Sequence, residues 1–358
     1  MRLHKQVLSL LFAAAMLAPA AFAGSKESPH DMLMKSFQQG SLWTQGPVKL
    51  AAKVSLLKAK PDGSNVDLDY VLSWAGPDKW RSEWTTGGFD QVYVLNNNQL
   101  SYFSNQPKPL VQLLQFEMAV AALDAANPAG PYSIPPLNWE KAKLDADKKR
   151  IGNIDAKCVG IGDPLETFCV DPATGHLLTV TISVANVEIG SFEYSDYATS
   201  GTTSYPQTIK VFYAKTQLNE AKITVSRDDK FADTVFAAPD KSTSVDFASC
   251  PDVGKNFTAP HVSKLVPAKE SDAALKAKKF GLVWVLANVS KDGSVTKADV
   301  IGGGDPDLVT PAIAAVQQYK YAPYMRCGQA VAFQEAVVVP FAPPQSKKPM
   351  DDLVQTGK

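Results

Sequence analysis

Tyr70-Val-Leu-Ser-Trp-Ala-Gly-Pro-Asp-Lys-Trp-Arg-Ser-Glu-Trp84 spells two strands and the turn between them. Large apolar side chains stand at every second position: Tyr70, Leu72 and Trp74, then Trp80 and Trp84 with Ser82 between them. A period of two puts each set on one side of a pleated sheet. Gly76-Pro77 breaks the pattern once, where a turn is expected. The same alternation runs outward in both directions. Segments 47–59, 65–75, 78–86, 89–95 and 99–104 read as strands, divided by Lys60-Pro61-Asp62-Gly63, Gly76-Pro77, Gly87-Gly88 and Asn96-Asn97-Asn98. This is an antiparallel meander, and Tyr93 extends its aromatic face.

Two breaks in the period mark helices. From Asp31 to Gly40, Met32, Leu33, Ser36 and Phe37 recur at helical spacing and predict a short helix. Leu110 to Leu123 is apolar at helical spacing, rich in good helix formers, and closed by Asn127-Pro128. Strands resume at 155–161, 165–170, 176–184, 186–194, 207–214 and 219–227. Eleven strands with one long and one short helix predict a large curved sheet.

After Phe236 the composition shifts. Pro239 to Pro260 is rich in Ser, Thr, Asp and Pro without periodicity and reads as a linker. A second module follows: strand 281–289, the turn Lys291-Asp292-Gly293, strand 294–301, a break at Gly302-Gly303-Gly304-Asp305-Pro306, a helix over about 307–320, and a strand 330–341. The expected organisation is a signal at 1–23, a first domain at 24–240, a linker at 241–260, a second domain at 261–343 and a disordered tail at 344–358. The expected class is α+β, mainly antiparallel β.

The N-terminus reads as a cleaved export signal: Arg2 and Lys5, an apolar run from Val7 to Ala18, then Ala21-Phe22-Ala23 before Gly24. Its apolar run of about 12 residues falls short of the roughly 20 that a spanning helix needs. Without Arg2 and Lys5, the 36 Lys and Arg fall to 34 against 36 Asp and Glu, a net charge of −2. No basic stripe for nucleic acid is present. Export makes disulfides the default for Cys158, Cys169, Cys250 and Cys327. Cys158 and Cys169 flank the turn Gly162-Asp163-Pro164 at matching distances, so a hairpin sets them opposite each other. Cys250 is left to pair with Cys327. With no CxxC and with His30, His176 and His261 scattered, no metal site or cofactor is expected. No catalytic motif of the hydrolase, metalloprotease, phosphate-loop or dinucleotide type occurs, so no enzyme is expected.

The second module carries a family resemblance. Gly281-Leu-Val-Trp-Val-Leu-Ala-Asn-Val289, Asp292-Gly293 with Val295 and Val300, Tyr319-Lys320-Tyr321-Ala322-Pro323, and Val337 to Phe341 resemble the TonB C-terminal domain. Pro260 to Leu265 is similar to the lead-in of such domains, and the likeness spans about 80 residues. It implies a small β-β-α-β domain whose last strand, Val331 to Phe341, is an edge open to an envelope protein partner. The partner-binding residues it implies are Val331, Phe333, Val337, Val338, Val339 and Phe341. Alternating Val337, Val339 and Phe341 also suit plain packing on the helix. Energy-transducing members carry an uncleaved anchor and a long Pro-Lys spacer, and this chain shows neither, so an anchored transducer is the lesser alternative.

The first module is similar to the periplasmic lipoprotein carriers LolA and LolB. The likeness rests on Leu72 to Trp84, on Tyr93 to Phe103, and on Phe236-Ala-Ala-Pro239. It implies an open half-barrel with a helical lid and a hydrophobic ligand, lipid or acyl chain, against Tyr70, Leu72, Trp74, Trp80, Trp84 and Tyr93. The same face serves equally as a core under the Leu110–Leu123 helix. The carrier has an arginine before the turn proline, and here Gly76 stands there. A periplasmic, non-enzymatic binding protein is the expectation, and a ligand-free structural or interaction protein of the envelope is the alternative.

Overall fold

The computed structural model describes residues 27–57, 64–86, 88–97, 99–106, 111–125, 142–144, 149–162, 165–184, 187–213, 215–227, 230–246, 262–303, 305–326 and 329–341. The export signal, the tail, Cys250 and Cys327 lie outside these residues, and so does the expected pairing of those two cysteines.

The first module begins with helix α1 (Pro29–Gly40). Ser28 caps it, its Oγ accepting the Asp31 N–H at 3.0 Å, and Pro29 occupies a first-turn position that needs no N–H. A meander follows: β1 (Val48–Leu56), β2 (Val66–Gly76), β3 (Lys79–Thr86), β4 (Phe89–Asn96) and β5 (Gln99–Ser104). Helix α2 (Val111–Ala122) comes next, then β6 (Lys143–Leu144), β7 (Lys149–Ile151), β8 (Ile154–Ile161), β9 (Leu165–Val170), β10 (Leu177–Val184), β11 (Val187–Ser200), β12 (Thr203–Tyr213), β13 (Thr216–Ser226) and β14 (Thr243–Asp246). One open sheet takes them all, in the order β14-β5-β4-β3-β2-β1-β13-β12-β11-β10-β9-β8-β6 with β7 on β8. Two meanders are thus sewn together where β1 pairs with β13.

The alternation of the sequence is the burial pattern of the sheet. Register sets Tyr70 opposite Trp84, Leu72 opposite Ser82 and Trp74 opposite Trp80, so the aromatic set shares the inner face. Helices α1 and α2 cover that face. Phe37 of α1 meets Phe168 edge-on at 5.6 Å, and Phe116 of α2 meets Tyr70 and Trp84 at 5.4 Å each. Each such aromatic contributes about 1.5–3 kcal/mol by leaving water. On the outer face the chain returns after β13. Phe236 of the single turn Asp233–Phe236 packs on Val92 and Val94, and Arg81 donates to the Ala237 carbonyl at 3.2 Å.

Two differences from the sequence reading have physical causes. Strands β11 and β12 run further than expected, through Ser195-Asp196-Tyr197 and Ser204-Tyr205, because Tyr197, Ala198 and Tyr205 pack on the main core from between polar neighbours that hide their alternation. Residues 243–246 fall inside the expected linker yet pair with β5, from Thr243 opposite Tyr102 to Asp246 opposite Gln99. Their polar composition suits an exposed outermost strand. The two principal helices also have equal length, 12 residues each.

Cys158 and Cys169 stand directly opposite across β8 and β9 and form the expected disulfide. Both are fully buried with Ala156 and Leu178, on the face away from Val159 and Phe168. At one rim, the Arg227 guanidinium donates to the carbonyls of Leu42 at 3.3 Å, Gly46 at 3.5 Å and Ser200 at 3.3 Å, and to Thr203 Oγ at 2.8 Å. Thr203 donates to the Ser41 carbonyl at 3.0 Å, and the Ser41 hydroxyl donates to Asp124 just past α2.

The second module holds β15 (Val262–Lys264), α3 (Asp272–Lys276), β16 (Gly281–Val289), β17 (Val295–Gly303), α4 (Pro306–Val316), β18 (Lys320–Tyr321), β19 (Met325–Arg326), β20 (Gln329–Ala330) and β21 (Phe333–Phe341). Val283, Val285, Ala287 and Val289 of β16 face Leu308, Ala312 and Val316 of α4 and Val339 and Phe341 of β21. Gly293 has φ +79, and a Cβ there would lie 2.0 Å from the Tyr321 carbonyl oxygen, so the Asp-Gly turn demands its glycine. Pro311 inside α4 leaves the Asp307 carbonyl without its helical donor. Ser271 Oγ donates to that carbonyl instead, at 3.4 Å. The helix ends at Val316, earlier than expected, because Lys320 and Tyr321 leave to pair with β15.

Candidate functional site

The small sheet has the order β17-β16-β21, so among the described residues β21 is paired on one side alone. Which of its backbone groups face outward follows from Pro340. Residues opposite one another in an antiparallel pair alternate between hydrogen-bonded and non-bonded sites. Pro340, which has no N–H, stands opposite Leu282, and the Leu282 N–H goes elsewhere, to Tyr213 Oη at 2.7 Å. Val338, Ala336 and Gln334 share the parity of Pro340, so their N–H and C=O groups point to the open edge. Phe333, Val337, Val339 and Phe341 turn their side chains toward the α4 core. Val331 lies before the strand, its N–H donating to the Tyr324 carbonyl at 3.0 Å, so it is not part of the edge that the sequence assigned it to. Glu335, on the core side beside Tyr321, has its carboxyl pushed up by burial.

The six residues of the proposed ligand face come together as the alternation requires. Tyr70, Leu72, Trp74 and Trp84 are buried in the main core, and Trp80 packs at its margin. Tyr93 stacks on Tyr102 at 4.5 Å. α2 adds a polar group that the apolar pattern did not disclose: Trp84 Nε1 donates to Glu117 at 2.9 Å. Burial raises the Glu117 carboxyl to about 7, against a smaller lowering by that hydrogen bond. Three buried polar atoms on the same face, Trp74 Nε1, Ser82 Oγ and Gln91 Oε1, lack a hydrogen-bond partner. Such atoms are rare in folded proteins and call for an explanation.

A surface cavity of about 450 Å³ lies on the opposite side of the sheet, lined by Arg81, Glu83, Thr85, Phe103, Pro239 and Lys241 among others. It is the outward half of the β3 alternation roofed by the returning chain, and it shares no residue with the aromatic face. Among the described residues no group of three or more His, Cys, Asp or Glu could hold a metal ion. No helix among them is long and apolar enough to cross a membrane.

No curated protein matches the chain. Solved structures similar to it include a LolA superfamily protein from Nitrosomonas europaea, 14% identical, covering 59% of this chain and 97% of that one at a TM-score of 0.40. A DUF1329 family protein from Desulfovibrio piger is 8% identical over 58% of this chain and 95% of that one, also at 0.40. MucB is 10% identical over 82% of this chain and 98% of that one, at 0.31. Residues 271–343 match the family model for the Gram-negative bacterial TonB protein C-terminal, so the second module of this chain carries that family's signature.

Proposed function

We propose that this is an exported, non-enzymatic protein of the bacterial envelope, residing in the periplasm, whose second module captures an extended segment of an envelope partner. The observation that carries the reading is the open side of β21, where Gln334, Ala336 and Val338 present backbone groups that no described strand pairs, while neighbouring side chains are anchored in the core. An incoming strand gains main-chain hydrogen bonds there and needs no rearrangement of the module. A photo-crosslinker at Gln334, which is exposed, tests it in intact envelopes. Adducts that localise to one extended segment of one partner support strand addition. Adducts spread over unrelated proteins in proportion to their abundance refute it.

A second activity for the half-barrel is favoured by the orphaned polar atoms Trp74 Nε1, Ser82 Oγ and Gln91 Oε1 on an otherwise aromatic face. An amphiphile that lifts Phe116 of α2 away, laying an acyl chain against Tyr70, Trp80 and Trp84 and a polar group near those atoms, satisfies both features. Native mass spectrometry of the protein taken gently from its envelope reads this directly. A co-purifying lipid supports it, and a bare chain that also ignores a fluorescent fatty-acid probe leaves the face a packed core.

A further inference from the structure

The side of the small sheet that faces away from α4 is covered as well. Along β16, Val283, Val285 and Ala287 point to α4, so Leu282 and Trp284 point to the other face. They are only 4% and 8% exposed. What meets that face belongs to the first module. Tyr213, at the end of β12, accepts the Leu282 N–H at 2.7 Å, filling a ladder position at the end of the small sheet. Val111, the first residue of α2, reaches Gly302, which stands opposite Trp284 across β16 and β17. A Cβ on Gly302 would lie 2.7 Å from Val111 Cγ2 and 3.2 Å from its Cβ. Gly302 is thus a slot beside a large indole, and a stiff β-branched side chain from α2 occupies it. Gly281 repeats the arrangement, with room for a Cβ only 3.3 Å from Tyr213 Oη.

These contacts fall on an element with a task of its own. α2 covers the aromatic inner face through Phe116. Its other tethers to the sheet include Asn219 Nδ2 donating to the Gln112 carbonyl at 3.3 Å and Tyr194 Oη donating to the Ala119 carbonyl at 2.8 Å. We propose that the second module is a clamp on α2: seated on Tyr213 and Val111, it holds the N-terminal end of the helix over the aromatic face, and undocking releases that end. Docking and helix seating are then two readings of one equilibrium, and whatever shifts one shifts the other by the same factor. The inference stands on the contact between the modules and needs neither the strand-addition reading nor a ligand.

Hydrogen exchange of the full chain tests the clamp, with the Leu282 amide reporting docking and the α2 amides reporting helix seating. Gly302→Ala is expected to speed exchange at both places at least tenfold. Adding Val111→Ala, which removes the crowding methyl groups and improves helix propensity, is expected to return both to within about threefold of the wild type. If Gly302→Ala instead unfolds the second module, seen as loss of protection across β16, β17 and β21, Tyr213→Phe decides. It removes one hydroxyl from the first module, and faster exchange at both Leu282 and α2, with β8–β11 unchanged, supports the clamp. The proposal is overturned if α2 keeps wild-type exchange while Leu282 loses protection, or if Val111→Ala fails to restore a folded Gly302→Ala protein.

Discussion

Trp84 and Glu117 face each other across the gap between β3 and α2, the indole N–H donating to the carboxyl at 2.9 Å. The pairing makes the half-barrel sensitive to pH. Burial holds the folded-state carboxyl at about 7, above its ordinary 4.5. The folded chain therefore keeps a proton that the unfolded chain has already lost, and the stability this gives is present below 4.5 and disappears as pH rises through 7. The unfolding free energy from denaturant titration is expected to fall between pH 4.5 and 7.5 by up to about 3 kcal/mol, and Glu117→Gln is expected to flatten that slope. Trp84→Phe removes the donor and moves the titration to still higher pH. A Glu117→Gln protein with the same pH slope as the wild type would falsify the assignment.

The disulfide offers a test that needs no ligand. Cys158 and Cys169 close a short loop across β8 and β9, and losing such a link costs about 2–3 kcal/mol in the chain-entropy picture. The double alanine variant is expected to unfold at correspondingly lower denaturant. Peptide mapping without reduction is expected to show 158–169 linked, with 250–327 as the second pair. Any link between the two sets would contradict this register.

Arg227 ties together three carbonyls and Thr203. Hydrogen bonds to a charged group contribute about 1.5–3 kcal/mol, and carbonyls left buried without a donor add to the loss. Arg227→Met keeps the apolar stem and is expected to destabilise the first module by about 2–3 kcal/mol. The measurement is chemical unfolding followed by tryptophan emission, and a change below half a kcal/mol would show that water replaces the guanidinium at no cost.

On β21, Val338 shares the outward parity of Pro340, so Val338→Pro removes an outward donor and leaves the β16 ladder its bonds. It is expected to abolish partner crosslinking from Gln334, whereas Val338→Thr retains most of it. Melting curves within a few degrees of the wild type establish that each variant is folded. A folded proline variant that crosslinks normally rules out pairing at this edge.

How much of this was legible beforehand depended on range. Alternation from Tyr70 to Trp84 and the Gly-Pro turn sufficed for the strands and their shared face, and the cysteine spacing for one disulfide. Thr243 to Asp246 escaped because a polar outermost strand has the composition of a linker. The cover of Leu282 and Trp284 escaped for a different reason: it depends on Tyr213, Val111 and Gly302 meeting, and no local period encodes a meeting between modules. Glu117 lay inside an apolar run, where a single carboxylate reads as a solvent-facing residue of a helix until Trp84 is seen beneath it. Whether the inner face is filled or leaves room is set by the fit of α2 over the sheet, which spacing does not carry.

The seam between β1 and β13 bears on how the chain acquires its shape. Thr224 Oγ1 and the Ala51 carbonyl meet there although 173 residues separate them in sequence. Pairings of that range close late and slow the search for the native state. A chain synthesised N-terminus first presents β1 to β5 as a meander whose β1 edge has no partner until β13 has emerged. That edge is open to wrong strands until then. Fast delivery of β8–β13 therefore limits mispairing at β1, and variants that slow their synthesis should aggregate through β1 before they lose any stability in the finished fold.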